Sequence, residues 1–324
     1  MIITVTLNTA IDKTLAVPNF RLGRRHRSVD QTTMPGGKGV NVARVLKALG
    51  APVIATGLAG GATGTRIVDQ LTQLSVLSDF VRIGEESRTN TAVIDPTTGQ
   101  QTEINERGPS VSEQEIELFA DKLLYLAKGA SLCVFAGSLP RDVDIDIYGR
   151  LIREMRRLGV QSIVDTEGEP LRRSMRAEPD LISPNVLEAE ELVGHEFNDS
   201  EDHLIAVREM VSLGAREAIM TAPDGCYALM TPDEPGTPQR LYRVRVSSGS
   251  IEPRATVGSG DAFLAGFVAA RYAGLSTEEC LVRGVACGAE STRHLGAGLI
   301  DPDRAERLRS EIEVDFPELS AEVG

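Results

Sequence analysis

Aromatic residues are scarce in this sequence, and tryptophan is absent. Aromatic side chains make up 4% of the 324 residues, whereas hydrophobic residues together make up 41%. The core must therefore be built mainly from Val, Ile, Leu and Ala, which suit a parallel sheet that is buried on both faces. No apolar run approaches the length of a membrane-spanning helix, so we expect no membrane partner.

Cysteine and histidine are also few, with four of each. Cys133, Cys226, Cys280 and Cys287 form no CxxC pair, and the histidines show neither metal-ligand nor Ser/His/Asp spacing. These absences argue against a zinc cluster, a disulfide framework and a hydrolase triad. The first residues lack the basic start and long apolar stretch of a signal peptide. We therefore expect a soluble protein in the reducing cytoplasm.

Positive charge is in deficit, because 47 acidic residues outnumber 34 Lys and Arg and give a formal net charge of -13 at pH 7. An acidic surface repels phosphate backbones, so we expect no nucleic-acid partner. A small anionic ligand could still bind in a local basic pocket.

Strand-like and helix-like segments alternate through most of the chain. Apolar runs such as 217–222 predict buried strands, with helical segments between them. The alternation predicts an α/β fold with a doubly wound, mostly parallel sheet flanked by helices. Strands near 226–231 and 239–247 break the alternation and predict an antiparallel edge. Toward the C-terminus, the pattern predicts two helices within 259–293 and a third over 302–313.

Two irregular segments lie in the first third of the chain. Residues 12–35 and about 85–105 contain short extended pieces and turns, such as DPTTG at 95–99, and lack a helical period. We expect them to form a small β-sheet that stands apart from the main body. The whole sequence, 1–324, is otherwise consistent with one domain.

The segment ATVGSGDAFLAGF at 255–267 places Gly258, Ser259 and Gly260 directly before Asp261 and an apolar helix. Glycines allow a close backbone approach, and the amides at a helix N-terminus attract anions. A carboxylate beside such an anion site is what phosphoryl transfer to an alcohol requires. The alternative is an ordinary Gly-rich turn in which the Asp caps the helix.

The segment PGGKGVNVARVLKALG at 35–50 again places glycines before a helix. Gly37 precedes Lys38, and Lys38 and Asn41 project from the loop and the first turn. This combination suits a ligand with hydroxyls and an anionic group. It is not a Walker loop, because the GxxxxGK[ST] spacing is absent. The alternative is a simple helix start with a solvated lysine.

Together these two segments resemble the signature pair of the ribokinase-like carbohydrate kinases. The resemblance covers essentially the whole chain and is strongest to the phosphofructokinase B branch, which includes 1-phosphofructokinases and tagatose-6-phosphate kinases. It implies an ATP-dependent kinase with a small β lid, here about 12–35 and 85–105, over the sugar. The further segments that carry it are NTAID at 8–12, SRTNTAV at 87–93, TEINERGP at 102–109, AGSLP at 136–140, VDTEGEPL at 164–171 and PNVLEAEEL at 184–192.

The resemblance implies a role for each matching residue on the sugar side. Asp261 would be the catalytic base, and the amides of Gly258, Ser259 and Gly260 would form the anion hole. The residues implied to bind the sugar phosphate are Asp12, Gly37, Lys38, Asn41, Arg88, Asn90, Ser138 and, more weakly, Arg27 from the lid. Arg88 would clamp the phosphate that the substrate already carries, because a guanidinium suits that geometry.

The nucleotide side is implied in the same way. Asn185 and Glu188 would organise Mg²⁺ at the ATP phosphates, with Glu188 acting through water. A hard oxygen site that keeps water is typical of Mg²⁺. The other nucleotide-binding residues implied are Thr221, Gly225 and Gly288. For Asn185 and Glu188 the alternative is a helix cap, and for Gly288 it is a helix-packing surface.

Two positions depart from the family pattern. Ser183 stands where many relatives have Lys, which removes a positive charge near the nucleotide phosphates. Ala255 stands where ribokinase has an Asp of its monovalent-cation site, so potassium activation of that type is not expected.

The function implied by the resemblance is phosphorylation of a ketohexose phosphate by ATP. Fructose 1-phosphate, giving fructose 1,6-bisphosphate, is the first substrate; tagatose 6-phosphate and fructose 6-phosphate are the alternatives. A non-catalytic sugar-phosphate sensor on the same fold is the alternative from another class. The open edge of a lid sheet invites pairing, so a homodimer through the lids is also expected.

Overall fold

The computed structural model describes residues 1–234, 236–247 and 255–318. Within them the strands are β1 (Ile2–Thr6), β2 (Ala10–Ala16), β3 (Asp30–Gly36), β4 (Val53–Gly60), β5 (Leu77–Ile83), β6 (Arg88–Ile94), β7 (Gln101–Asn105), β8 (Leu132–Ala136), β9 (Gln161–Asp165), β10 (Leu181–Ile182), β11 (Ala218–Ala222), β12 (Gly225–Met230), β13 (Arg240–Val246) and β14 (Ile312–Asp315).

The α-helices occupy the segments between most of these strands. They are α1 (Lys38–Ala48), α2 (Gly61–Gln73), α3 (Glu113–Ala127), α4 (Ile147–Arg157), α5 (Gly168–Ser174), α6 (Val186–Val193), α7 (Ser200–Ser212), α8 (Ser259–Tyr272), α9 (Thr277–Ser291) and α10 (Pro302–Leu308). The sequence had not indicated α5.

Ten strands form one large sheet in the order β14-β13-β12-β11-β10-β9-β8-β1-β4-β5. Pairing is parallel from β5 to β11 and antiparallel from β11 to β14. The predicted doubly wound, mostly parallel sheet is therefore confirmed, and so is its antiparallel edge.

Both faces of the large sheet are covered by helices. Ile3 of β1 packs into an apolar layer with α3 to α7, whereas its neighbour Ile2 packs into a second layer with α1, α2, α8 and α9. Successive strand residues point to opposite faces, which explains why the strands read as continuous apolar runs. The four cysteines are buried and free.

Four strands form a separate small sheet in the order β3-β2-β6-β7. β2 pairs with β3 in antiparallel fashion and with β6 in parallel fashion, so that Asp12 lies beside Asn90. β2 follows β1 and β6 follows β5, so the small sheet begins beyond the carboxyl ends of two strands of the large sheet. Ligands of open α/β sheets bind at that edge.

The prediction of a helix over 302–313 is wrong in its second half. The helix α10 ends at Leu308, a 3₁₀ turn follows, and Ile312–Asp315 form β14 against β13. The side chains of Ile312 and Val314 alternate with acidic residues, which suits an edge strand better than a helix. In the described part of the chain, no helix is long and apolar enough to cross a membrane.

Candidate active site

The carboxyl group of Asp261 is buried in the first turn of α8. The preceding Gly258 has a φ of 77°, and its conformation starts the helix without a side-chain cap among the described residues. The amide Nδ2 of Asn41 donates to Oδ2 of Asp261 over 2.9 Å. Burial raises the pKa of Asp261 to about 8, with a further contribution from the negative charge of Asp165.

Gly258 is also required by close packing. A Cβ at this position would lie 2.5 Å from the Cβ of Ala297, and positive φ strains any residue with a side chain. The backbone of Gly258 to Asp261 therefore lines the cavity in a fixed conformation, with the amino end of α8 directed at it. Such a helix end can hold an anion.

Lys38 stands between the carboxylate of Asp165, at the end of β9, and that of Glu188, on α6. Its Nζ lies 2.8 Å from Oδ1 of Asp165 and 2.9 Å from Oε1 of Glu188. Burial lowers the pKa of Lys38, but Asp165, Glu188 and Asp261 outweigh burial and raise it above its ordinary value. The lysine therefore stays charged and neutralises part of this acidic cluster.

Asp165 was not singled out from the sequence. It ends β9, within the segment VDTEGEPL, and the position at the carboxyl end of a buried strand was the signal that could have found it. Burial raises the pKa of Asp165, and the neighbouring ammonium of Lys38 opposes that shift.

Asn185 and Glu188 form a reciprocal cap at the start of α6. Oδ1 of Asn185 accepts from the backbone N of Glu188 over 3.0 Å, and Oε2 of Glu188 accepts from the backbone N of Asn185 over 2.9 Å. The helix-cap alternative is thus present in the structure. It does not exclude ligand binding, because both residues also line the cavity.

On the small sheet, Asp12 faces the same cavity. Nδ2 of Asn90 donates to Oδ1 of Asp12 over 2.9 Å. A Cβ at Gly36 would lie 2.0 Å from Oδ2 of Asp12, so only glycine lets the carboxylate lie against β3. Burial raises the pKa of Asp12, and the hydrogen bond from Asn90 opposes this.

Arg88 begins β6 and is held by main-chain and hydroxyl oxygens. It donates to the carbonyls of Asn8 at 3.2 Å and Glu106 at 3.0 Å, and to Oγ of Ser138 at 3.4 Å. Nδ2 of Asn8 donates to the same Oγ over 3.3 Å. Asn8 was missed as a site residue, although it opens the segment NTAID. Arg88 forms no ion pair among the described residues, although the negative charges of Asp12, Glu167 and Glu106 act on it, so its guanidinium can still bind an anion.

One cavity of about 470 Å³ joins the two sheets. It brings together most of the residues proposed from the sequence. They are Asp12, Gly37, Lys38, Asn41, Arg88, Asn90, Ser138, Asn185, Glu188, Thr221, Gly258, Ser259, Gly260 and Asp261.

Comparison with known proteins identifies the family. The profile of the pfkB family carbohydrate kinases matches residues 4–304. The chain belongs to this family. The relatives show that it is an enzyme that phosphorylates a sugar phosphate, which confirms the predicted class of phosphotransferase.

Two curated relatives and one solved structure illustrate the match. A 1-phosphofructokinase of Borreliella burgdorferi is 34% identical over 289 residues, which cover 89% of this chain and 90% of that protein. A tagatose-6-phosphate kinase of Staphylococcus epidermidis is 31% identical over 318 residues, covering 97% and 99%. The phosphofructokinase-2 of Escherichia coli, in complex with fructose-6-phosphate, superposes with a TM-score of 0.83 at 27% identity, covering 95% and 98%.

Three predicted residues of this pfkB-family chain lie away from the cavity lining in the described structure. Arg27 is exposed on the connection between β2 and β3. A Cβ at Gly225 would lie 1.9 Å from the carbonyl oxygen of Val244, so this glycine is needed where β12 meets β13. Gly288 packs against Phe263, which is the helix-packing alternative.

The cavity of this pfkB kinase offers two carboxylates for Mg²⁺ and would need water and substrate phosphates to complete the ligand set. Among the described residues no cluster of three or more His, Cys, Asp or Glu could hold a metal ion. Asp165 and Glu188 nevertheless give two buried carboxylates in one cavity with the amino end of α8. Mg²⁺ in kinases is commonly held by one or two carboxylates together with water and substrate phosphates, and this donor set fits that pattern.

Proposed function

We propose that this chain transfers the γ-phosphoryl group of ATP to a primary hydroxyl of a ketohexose phosphate, with fructose 1-phosphate as the first substrate and fructose 1,6-bisphosphate as the product. The observation that carries the proposal is the buried carboxyl of Asp261. It stands at an anion-attracting helix end and shares one cavity with the unpaired guanidinium of Arg88.

The small sheet binds the sugar phosphate in this proposal. Arg88 holds the phosphate that the substrate already carries, since a fixed guanidinium fork matches phosphate oxygens. Asp12 and Asn90 hold sugar hydroxyls, and their mutual hydrogen bond fixes both side chains beforehand. Ser138 lies beside Arg88 and orients it. Lys38 is engaged by two carboxylates, so we assign it to the boundary between the sugar and the transferred group.

Asp261 is the general base. Its carboxylate accepts the proton of the attacking hydroxyl, whose oxygen forms the new bond to the γ-phosphorus. The bond from that phosphorus to the bridging oxygen breaks, and ADP leaves with the electron pair. The amides of Gly258, Ser259 and Gly260 stabilise the negative charge on the transferring group. The pKa of about 8 makes Asp261 a stronger base than an ordinary aspartate.

The nucleotide lies over the large sheet in this proposal. Thr221 approaches Asn185 through a backbone hydrogen bond from its N to the carbonyl of Pro184 over 3.0 Å, so both face the same end of the cavity. Glu188, through water, and Asn185 would hold Mg²⁺, with Asp165 beside them. Bound there, Mg²⁺ would supply positive charge to the nucleotide phosphates. Ser183 also lines this region and brings no charge.

Tagatose 6-phosphate and fructose 6-phosphate remain the alternative substrates. Each is a ketohexose phosphate, and Arg88 could bind the phosphate of any of them. Relatives named for 1-phosphofructokinase and for tagatose-6-phosphate kinase have similar identities to this chain. A sugar-phosphate sensor is disfavoured, because it would need neither Asp261 nor a helix end free of a side-chain cap.

We also propose that the chain acts as a single kinase domain, with the small sheet as a lid and as the contact of a homodimer. Its outer strands β3 and β7 each have one edge outside the strand pairing of this sheet. Open strand edges favour pairing with another chain. Arg27 is exposed and lies outside the cavity lining of its own chain, so we assign it a role at a substrate phosphate only across such a contact. The predicted cytoplasmic location stays a prediction.

The function is tested by coupled ADP release with Mg-ATP. The acceptors are fructose 1-phosphate, tagatose 6-phosphate, fructose 6-phosphate, fructose, ribose and adenosine. We expect strong turnover with one phosphorylated ketohexose and little with the unphosphorylated compounds. Turnover only with unphosphorylated sugars would show that Arg88 does not bind a substrate phosphate. No ADP release with any acceptor would favour the sugar-phosphate sensor.

A further inference from the structure

Arg44 is a buried cation on α1 that the roles above leave unused. It is 6% exposed. It follows Asn41 by three residues, so both side chains lie on the same face of the helix. A buried guanidinium is costly unless it is hydrogen-bonded or paired with charge. The burial of Arg44 therefore has to be explained by the groups that its guanidinium binds.

Arg44 joins two segments that are far apart in the chain. Its Nη1 donates to the carbonyl of Ala297 over 3.0 Å and to the carbonyl of Pro35 over 3.3 Å. Its Nε has no hydrogen-bond partner within the described residues. Arg44 thus reaches from α1 to the end of β3 on one side and to the loop after α9 on the other.

The loop after α9 supports the start of α8. The Cβ of Ala297 lies where a side chain at Gly258 would have to go, with 2.5 Å between the two Cβ positions. The backbone N of Ala255 donates to the carbonyl of Thr292 over 3.0 Å. The loop therefore contacts the glycine segment on both sides of Val257. Arg44 binds the carbonyl of Ala297, the loop residue that lies against Gly258.

The end of β3 supports the sugar side. Pro35 precedes Gly36, against which the carboxylate of Asp12 lies. Fixing the carbonyl of Pro35 therefore fixes the backbone beneath Asp12. Burial lowers the pKa of Arg44 to about 10, whereas the negative charges of Asp12 and Asp261 oppose that shift. The guanidinium lies within the electrostatic reach of the carboxylate on each side.

We propose that Arg44 is a positioning residue. It keeps the backbone beneath Asp12 and the backbone at Gly258 at a fixed separation. It contacts no substrate and acts through Pro35 and Ala297. The inference rests on the proposed function, because it assigns Asp12 to the sugar and the segment at Gly258 to the transferred group. A phosphoryl transfer needs both in register before the hydroxyl can reach phosphorus.

The test compares Arg44→Met, which keeps the length and loses the charge and donors, with Arg44→Lys, which keeps a charged donor. We expect Arg44→Met to lower kcat by roughly 100-fold, since a small misplacement of reacting groups costs about that much. KM for the sugar phosphate and for ATP should change far less than kcat. Arg44→Lys should recover part of kcat.

The matched control is Arg271→Met. Arg271 is a partly buried arginine whose Nη1 contacts Oε2 of Glu217 over 2.7 Å, remote from the cavity lining. It should lower the melting temperature and leave kcat per folded molecule unchanged. If Arg44→Met behaved like this control, Arg44 would be only structural. If Arg44→Met does not fold, Arg44→Ala is measured instead, at a low temperature at which it is folded. The proposal is overturned if folded Arg44→Ala has the kcat of the wild type. It is also overturned if Arg44→Lys and Arg44→Ala have the same kcat.

A wrong function gives a different result from a wrong role for Arg44. If the wild-type chain turns over none of the sugar phosphates, the proposed function fails before Arg44 is tested. If the wild type is active and folded Arg44→Met keeps the same kcat, the function stands and the positioning role is overturned.

Discussion

The side-chain amide of Asn41 donates a 2.9 Å hydrogen bond to the carboxylate of Asp261, and 220 residues of chain separate them. The bond joins α1, which follows the first glycine segment, to α8, which follows the second. The two segments, distant in sequence, are thus joined directly at the site. Asn41 stabilises the ionised form of Asp261, which is the form that a base requires.

Asn41 therefore contributes to the pH at which Asp261 ionises, although burial is the largest cause. Its hydrogen bond opposes the effect of burial, and the pKa of Asp261 that results from both is about 8. Removing the bond in Asn41→Ala should raise this pKa, so the acidic limb of kcat against pH should move to higher pH. The control is Asn198→Ala, an exposed asparagine whose amide contacts Asp202. A shift toward lower pH would show that Asn41 does not stabilise the carboxylate.

Replacing the proposed base, Asp261, should slow turnover strongly and spare binding. Asp261→Asn keeps the size and a hydrogen-bonding oxygen but cannot take the proton. We expect kcat to fall by roughly 100- to 10,000-fold, the usual contribution of a general base. Sugar-phosphate binding, measured by calorimetry without ATP, should be largely kept. Normal turnover in this variant would mean that another group accepts the proton.

Asp261 also lowers the stability of the fold at alkaline pH. Its folded pKa of about 8 lies above the ordinary value of 3.8, so the folded state binds this proton more tightly than the unfolded state. The stabilisation of the folded state by this proton on Asp261 is complete below the ordinary pKa of 3.8 and is lost as the pH rises through about 8. The melting temperature of Asp261→Asn should therefore fall less than that of the wild type between about pH 6 and about pH 9.

The exposed carboxylate of Asp121 on α3 offers the control for that measurement. Asp121→Asn removes one negative charge without touching the cavity. Its melting temperature should follow the wild-type curve. If Asp261→Asn also followed that curve, the carboxyl of Asp261 would not be destabilised by burial.

Arg88 should determine affinity for the sugar phosphate more than turnover. Arg88→Met removes the guanidinium and keeps much of the apolar stem. We expect KM for the phosphorylated sugar to rise by roughly 10- to 100-fold, because a hydrogen bond to a charged group contributes about 1.5–3 kcal/mol. Arg150→Met, which removes an exposed ion pair with Glu117, is the control. An unchanged KM would place the substrate phosphate elsewhere.

Gly258 and Gly274 form a matched pair at the two ends of α8. Their φ values are 77° and 73°, so an alanine is strained at both. A Cβ meets Ala297 at 2.5 Å in the first case and nothing within 4 Å in the second. Gly258→Ala should lower kcat by roughly 100-fold through displacement of the loop. Gly274→Ala should lower only the melting temperature, and equal kinetic effects would contradict the loop's role.

Much of the fold could be predicted because strand and helix signals are local. Apolar runs such as 131–137 mark buried strands, and the glycine pairs Gly36 and Gly37, and Gly258 and Gly260, mark the helix starts of the site. Asp12 and Asp261 were placed by motifs, and the structure brings both to one cavity. The small sheet was predicted from its two segments, but the pairing of its strands was not, because β2 pairs with β6 across almost 80 residues of chain.

Other features depend on contacts that sequence does not reveal. Lys38 looked like a free phosphate ligand, but Asp165 and Glu188 reach it from β9 and α6. Arg44 was not singled out from the sequence, because its two carbonyl partners, Pro35 and Ala297, lie on separate segments. The first two residues of β14, Ile312 and Glu313, were predicted as helix because the pairing of this strand with β13 is set by packing at the sheet edge.

The division of the cavity between two sheets has a consequence for how this enzyme could change. Asp12, Arg88 and Asn90 belong to the small sheet, whereas Asp165 ends a strand of the large sheet and Asp261 lies on α8, which packs against the large sheet. Exchanges on β2 and β6 can therefore alter which sugar is accepted without rebuilding the group that moves phosphorus. Acceptor preference and transfer chemistry are separately mutable, and libraries confined to the small sheet should yield new acceptors at undiminished catalytic power.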